Sequence, residues 1–309
     1  DLRIMDEIKP DFIIGDFRLS LAISSRIKKI PYATITNAYW SPYANIEYPV
    51  PEMPLTKLFG VAVAQKMFNI IRPFVFKLHT VALNKVCKEF RQPILGSDLR
   101  EQYTHADYTL YADIDSFVPV TALPLNHFFV GPILWSAKVS LPNWWNTFSS
   151  DKPLVFVTLG SSGDSSLLPM LLETLSQMPV TVFCVTAKKT SITKSYSNVF
   201  ITEFLPAGLA VKKTDIVICN GGSPMVYQSI AENKFVIGLP SNLDQYLMMT
   251  LADKAGYGKL IRSGKVSRDN IEYAVNCALE YKSKIKPASN CSLEINKITA
   301  LIDASSIGD

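Results

Sequence analysis

Apolar residues fall into short unbroken runs that alternate with stretches of helical spacing. Leu2, Ile4, Met5 and Ile8 lie along a predicted helix that stops before Pro10, and residues 12–15 are an apolar run ending at Asp16. Leu19, Ile23 and Ile27 make the next helical stripe, with Lys28 and Lys29 in its last turn, where cations suit the helix dipole. Pro31 opens a further run over residues 32–35, and a polar and aromatic loop follows to residue 48. Apolar runs without alternation belong to strands buried on both faces of a parallel sheet, so this order predicts a doubly wound α/β architecture.

From Pro49 to Gly96 the pattern is mostly helical, behind the cluster Pro49, Pro51 and Pro54, and two more strands are predicted at 108–111 and 128–131. No period survives between 132 and 151, where Pro142, Trp144, Trp145, Ser149 and Ser150 mark a connector. A second α/β series then begins. Strands are expected at 154–159, 180–185 and 199–201, a helix at 167–178, and glycine-rich and proline-ended loops at 160–163 and 203–206. The boundaries expected are an N-terminal domain over 1–135, a connector over 136–152 and a C-terminal domain over 153–309. The first domain opens in mid-pattern, so a segment upstream of Asp1 is expected.

The most informative stretch is 216–245. Ile216 to Cys219 is a buried strand, Asn220, Gly221 and Gly222 break it, and Ser223 followed by Pro224 starts a helix, the hydroxyl being placed to cap it. A second strand at 235–238 leads into a polar loop from Pro240 through Asp244 and Gln245. A glycine turn at a helix N-terminus presents N–H groups and a positive dipole to an anion, most often phosphate. Helices are expected at 246–255 and 267–281, the latter capped by Ser267, then a polar tail over 282–290 and a last helix at 293–302.

Composition narrows the choice. A chain of 309 residues exceeds what one core serves. Its net charge of +4 is spread over both halves, which excludes a polybasic nucleic-acid surface. Five scattered cysteines, an odd number, point to reduced thiols in a cytosolic compartment and to neither a disulfide framework nor a zinc site. The apolar stretch 58–83 is interrupted by Lys66, Arg72, Pro73, Lys77 and His79 and does not read as a transmembrane helix. Two readings of it stand: a helix pair covering a pocket, or an amphipathic helix in peripheral contact with a membrane. No G-x-G-x-x-G follows a predicted strand, so a dehydrogenase is disfavoured, and nothing sets an oligomeric state.

Asn220-Gly221-Gly222, the helix after it, Pro240 and Asp244-Gln245 resemble the C-terminal signature of the UDP-glucuronosyl/UDP-glucosyltransferase-like GT-B glycosyltransferases. Val130-Gly131-Pro132, the run from Val155 to Ser161, and Phe204-Leu205-Pro206 are similar to landmarks of that family in the same order. The resemblance implies two Rossmann-like domains facing across a cleft, the N-terminal one incomplete here. It implies an inverting transfer, with no cofactor and no metal, from a nucleotide-sugar, of UDP type, to a hydroxyl of a small apolar or lipid acceptor.

By the same resemblance Gly160, Ser161 and Ser162, with Asn220, Gly221, Gly222 and Ser223, flank the diphosphate. Phe204 and Leu205 pack on the nucleobase, Gln228 meets the ribose, and Asp244 and Gln245 bond the sugar. Asp16 stands where the family keeps the aspartate that orients its catalytic histidine, itself expected before Asp1; His79, His105 and His127 do not match its place. Three residues depart from the pattern: Asn220 replaces histidine, Pro224 glycine and Met225 threonine. They motivate the alternative, a non-catalytic or degenerate GT-B relative that binds a nucleotide or a partner protein.

Overall fold

A computed structural model describes residues 1–146, 148–281, 287–288 and 291–306. Most of the polar tail expected over 282–290 lies outside them. The chain divides into two compact units. The first takes Asp1–Glu47, Ala62–Ile133 and the segment from Ser292; the second takes Tyr48–Val61 and Leu134–Cys291.

In the first unit α1 (Leu2–Ile8), β1 (Ile13–Asp16), α2 (Leu21–Lys28) and β2 (Tyr32–Thr36) follow the predicted order. The long α3 (Pro54–Glu89), a short α4 (Leu99–Tyr103), β3 (Tyr108–Tyr111) and β4 (His127–Phe129) complete the sheet, which is parallel throughout in the order β1-β2-β3-β4. Gly60, at φ 74°, interrupts α3, and the two units divide just beyond it. Ala22, Ile23, Tyr32, Cys87 and Leu95 form a core on one side of the sheet.

Ala33, Leu110 and Val130 form another cluster of this unit, covered by Leu293, Ile298 and Leu301. This departs from the expected boundary, which kept everything to residue 309 in the C-terminal domain. The apolar stripe of the last helix, α10 (Ile295–Ser306), finds its partners on the first sheet, and Glu294 N–H donates to Val130 O at 2.8 Å.

The second unit has a six-stranded parallel sheet in the order β10-β9-β8-β5-β6-β7. Its strands are β5 (Leu154–Thr158), β6 (Thr181–Val185), β7 (Val199–Thr202), β8 (Ile216–Cys219), β9 (Phe235–Gly238) and β10 (Gly258–Leu260). Its helices are α5 (Leu168–Ser176), α6 (Ala207–Lys213), α7 (Ser223–Ala231), α8 (Leu243–Lys254) and α9 (Arg268–Tyr281). Every residue of β6, β8 and β9 is buried, as their unbroken apolar runs require. Ser267 Oγ accepts from Asn270 N–H at 3.3 Å and caps α9 as expected. The short α6 and β10 went unread because neither has a full period of apolar residues. Trp144 and Trp145 of the connector pack on Phe183, at centroid distances of 5.1 and 5.5 Å, and are structural.

Within the second unit, Val50 and Glu52 are tied to Tyr246 and Arg262 by charge and hydrogen bonds. Glu52 Oε1 accepts from Arg262 Nε at 2.9 Å and Tyr246 Oη at 3.0 Å, and Arg262 Nη2 donates to Val50 O at 2.9 Å. Desolvation raises the Glu52 pKa, but the Tyr246 hydrogen bond and the Arg262 charge outweigh it and hold the carboxyl below its ordinary range.

In the first unit burial pushes the imidazoles of His105 and His127 down from 6.5 to about 4, with Arg26 adding to the effect at His105. Between those values the unfolded chain binds protons that the fold excludes, so stability falls as pH falls through that window. Urea midpoints are expected to drop from pH 6.5 to about 4, and the double substitution His105→Gln and His127→Gln is expected to flatten the profile.

Candidate functional site

Parallel strands release their loops on one edge, and three of these loops meet. In the register, Thr158 of β5 lies opposite Cys219 of β8, and Cys219 lies opposite Gly238 of β9. The segments 159–163, 220–222 and 239–242 therefore leave adjacent carboxyl ends, where ligands of open α/β sheets bind. Backbone geometry explains the glycines. Gly160 has φ +60° and Gly221 φ +81°, both left-handed, and a Cβ on Gly163 would come within 2.2 Å of Leu159 O.

A polar network ties the loops together through Ser162. Its Oγ accepts from Asn220 Nδ2 at 3.2 Å and from Gln245 Nε2 at 3.1 Å. Asn220 Oδ1 accepts from Gly222 N–H at 3.3 Å, locking the turn ahead of α7. Gln245 Oε1 accepts from the N–H and hydroxyl of Ser241 at 2.9 and 3.0 Å. With both lone pairs of Ser162 Oγ occupied, its single O–H is left to donate outward. Ser161 and Ser162 are exposed, while Asn220 is 8% and Gln245 2% exposed, so the Ser162 hydroxyl lies at the surface and the two amides hold it from behind.

The start of α7 differs from the expectation. Gly222 occupies the N-cap, and Ser223 is the first helical residue and makes no side-chain cap. Asn220 Oδ1 has taken the neighbouring Gly222 N–H instead. Ser223 and Met225 sit in the first turn, where N–H groups have no intrahelical acceptor, and Pro224 has none to offer. A half-buried turn with these groups and a positive dipole is suited to an anion.

Asp244 and Gln245 also lie in a helix and not in a loop. Asn242 Oδ1 accepts from Gln245 N–H at 3.1 Å and starts α8 at Leu243, three residues before the expected 246. The half-buried Asp244 sits in the first turn, where the dipole favours a carboxylate. Gln245 makes three side-chain hydrogen bonds inside the protein. Its amide is thus committed to holding Ser162, already placed beside the diphosphate by the resemblance, and Ser241, which no sequence pattern marks.

Gln228 lies on α7 at 8% exposure, and its amide makes no hydrogen bond with a described residue. Its Oε1 and the Ser136 side chain both lie beside Gly208, whose N–H donates to Ser136 Oγ at 3.2 Å. Ser136, Lys138, Pro206 and Leu209 help line an open cavity of about 590 Å³. Phe204 is 45% exposed with Lys188 Nζ 5.6 Å above its ring, and Leu205 is buried.

Burial pushes the Cys219 thiol, just before the turn, up to about 12, so it stays protonated and packs as an apolar group. Asp16 is an exposed carboxylate at the end of β1, opposite Ile35. Of the aromatic residues in the loop after β2, Tyr39 is fully buried and Trp40 packs on Tyr103 and Phe76. Among the described residues no group of three His, Cys, Asp or Glu side chains converges as a metal site.

No protein-family model matches the chain. It is similar in structure to the spinosyn rhamnosyltransferase SpnG complexed with thymidine diphosphate, with a TM-score of 0.62 at 14% identity over 98% of this chain and 72% of that one. The chain has the GT-B glycosyltransferase fold. In sequence the GT-B chain is 42% identical, over 90% of its length, to a PGL/p-HBAD biosynthesis glycosyltransferase of Mycobacterium tuberculosis (strain ATCC 25177 / H37Ra). It is 40% identical over 89% of its length to a PGL/p-HBAD biosynthesis rhamnosyltransferase of Mycobacterium bovis (strain BCG / Pasteur 1173P2). It spans 65% and 61% of these two relatives, less than two thirds of each.

Proposed function

We propose that this GT-B chain belongs to an inverting glycosyltransferase that moves a hexosyl group from a nucleoside diphosphate to a hydroxyl of an apolar or lipid acceptor. The observation that carries the proposal is the Ser162 hub, in which two buried amides aim one hydroxyl outward beside the first turn of α7. Departure of a nucleoside diphosphate develops charge on the phosphate bridging oxygen, and preorganised O–H and N–H donors stabilise it at no reorganisation cost. The relatives named a glycosyltransferase and a rhamnosyltransferase support sugar transfer.

In this reading Ser161, Ser162, Ser223 and the Gly160 and Gly221 turns hold the diphosphate, Phe204 carries the base, and Gln228 meets the ribose. Asp244 faces the sugar, Gln245 and Asn220 position the hydroxyls, and Asp16 orients the base that deprotonates the acceptor. UDP is the nucleotide that the motif order favours. A thymidine nucleotide is the second reading, because the neutral Gln228 amide lacks the charge with which a carboxylate would grip both hydroxyls of a ribose, so less is lost with a sugar that has only one of them.

Thermal melts of the chain with UDP and with TDP test the donor. At about 100 times Kd the preferred nucleotide adds about 2.7 kcal/mol to stability, and Gln228→Leu is expected to weaken it by about 1–2 kcal/mol while leaving the unliganded melt unchanged. No stabilisation by either nucleotide would end the donor-site reading. Binding without transfer to any hydroxyl acceptor would favour a non-catalytic relative, for which Pro224 and its missing N–H are the structural motive.

A further inference from the structure

We infer that the outer face of α3 is a docking surface for an anionic lipid membrane. From Ala62 this helix belongs to the first unit, and one of its faces is built into it: Phe76, Thr80 and Cys87 are buried on one side, and Cys87 joins the core. The opposite face is apolar and open. Val63, Ile70, Phe74, Leu78 and Val81 are 49%, 69%, 71%, 70% and 57% exposed, and at 100° per residue they fall on one stripe. The stripe runs over 19 residues, whose 18 rises of about 1.5 Å make about 27 Å, too much contiguous apolar surface for a face left in water.

Charge selects the occupant. Lys66, Lys77, Lys85 and Lys88 are exposed on or beside the stripe, and no acidic residue occurs in the helix before Glu89. From Pro54 to Glu89 there are six Lys and Arg against one Glu, whereas the whole chain has 31 Lys and Arg against 27 Asp and Glu. The remainder thus holds 25 against 26, and the chain's positive charge resides on its most apolar exposed element. Apolar side chains bordered by lysine stems are the pattern of a helix lying in a lipid headgroup region. A second copy of the chain would set these lysines against one another across an isologous contact.

By length and composition α3 could cross a membrane. Its buried face, and Lys66 and Lys77 along its open one, instead place it parallel to the surface. An acceptor carried in the bilayer would then be met where it resides.

Sedimentation of the chain with phosphatidylcholine vesicles, with and without about 30% phosphatidylglycerol, tests this. Binding is expected to the anionic vesicles, to fall with salt, and to be weak on phosphatidylcholine alone. Lys66→Gln with Lys77→Gln removes two contacts of about 1 kcal/mol each and is expected to lower partitioning about 30-fold. Phe74→Ser with Leu78→Ser is expected to abolish it, with melting temperature and nucleotide stabilisation unchanged because these side chains are exposed. Failure to bind anionic vesicles, equal binding to both vesicle types, or binding that survives both double substitutions would overturn the inference. So would a wild-type dimer in sedimentation velocity that Phe74→Ser with Leu78→Ser converts to monomer, which would assign the face to a second copy.

Discussion

Gly221→Ala is expected to lower the stability of the second unit by about 2–5 kcal/mol and to eliminate measurable nucleotide binding. Two costs add. The residue has φ +81°, where a side chain costs about 1–2 kcal/mol. The new Cβ would also stand 2.4 Å from Met249 Cγ and 3.3 Å from Gln245 O, an overpacking worth about 1–3 kcal/mol. Met249 has little room to yield. It is fully buried and fills a slot made by glycines, since a Cβ on Gly238 would also meet it at 2.4 Å and one on Gly258 at 3.3 Å. The substitution therefore presses β8 away from α8 and pulls Asn220 from Ser162. Gly222→Ala is the control: its φ is −68° and the nearest atom, Asn220 Oδ1, is 3.5 Å away, so only the weaker capping of alanine is left and its cost is expected at about 0.5–1 kcal/mol. Urea unfolding of the two variants, followed by nucleotide titration, checks the contrast.

The second large effect is expected at Arg262. Arg262→Met leaves the Glu52 carboxylate, only 18% exposed at its side chain, without its cation, and the loss is expected at about 2–4 kcal/mol. The guanidinium also lies over the Tyr246 ring at 4.7 Å, and Tyr246 follows Gln245 directly on α8. A loosened staple therefore reaches the site through one helix, and nucleotide affinity is expected to fall with stability. The double substitution Glu52→Leu with Arg262→Met removes the stranded charge and is expected to be more stable than Arg262→Met alone. Additive losses in that cycle would contradict the pair as the cause.

Much of this was legible in the sequence because parallel sheets write themselves as unbroken apolar runs. Residues 154–159, 216–219 and 235–238 announced β5, β8 and β9, and Gly160 and Gly221 announced the turns that follow them. What stayed hidden depended on distances across the fold. The resemblance marks Ser162 only as one of three diphosphate-flanking residues in its loop, and what sets it apart is that Asn220 and Gln245, 58 and 83 residues away, donate to it. Gln245 was read as reaching outward because its place beside Asp244 gives no sign that Ser241 takes up its carbonyl. The cap at Ser223 was misplaced by one residue because Asn220 competes for the same backbone. The segment from Ser292 was assigned to the wrong unit because an apolar stripe tells that a helix is covered, and not by which sheet.

The central claim is that Ser162 is held by two buried amides so that its hydroxyl receives a diphosphate. Isothermal titration of UDP, and of TDP in parallel, into the wild-type chain and into Ser162→Ala tests it most directly. Loss of one hydrogen bond to a charged phosphate, worth about 1.5–3 kcal/mol, predicts affinity lowered on the order of 10–100-fold, measured well below a melting temperature that also falls, because the buried Asn220 and Gln245 amides lose their acceptor at a cost of about 1–3 kcal/mol. Equal affinity in the two proteins, or no heat from either nucleotide with the wild type, would contradict it.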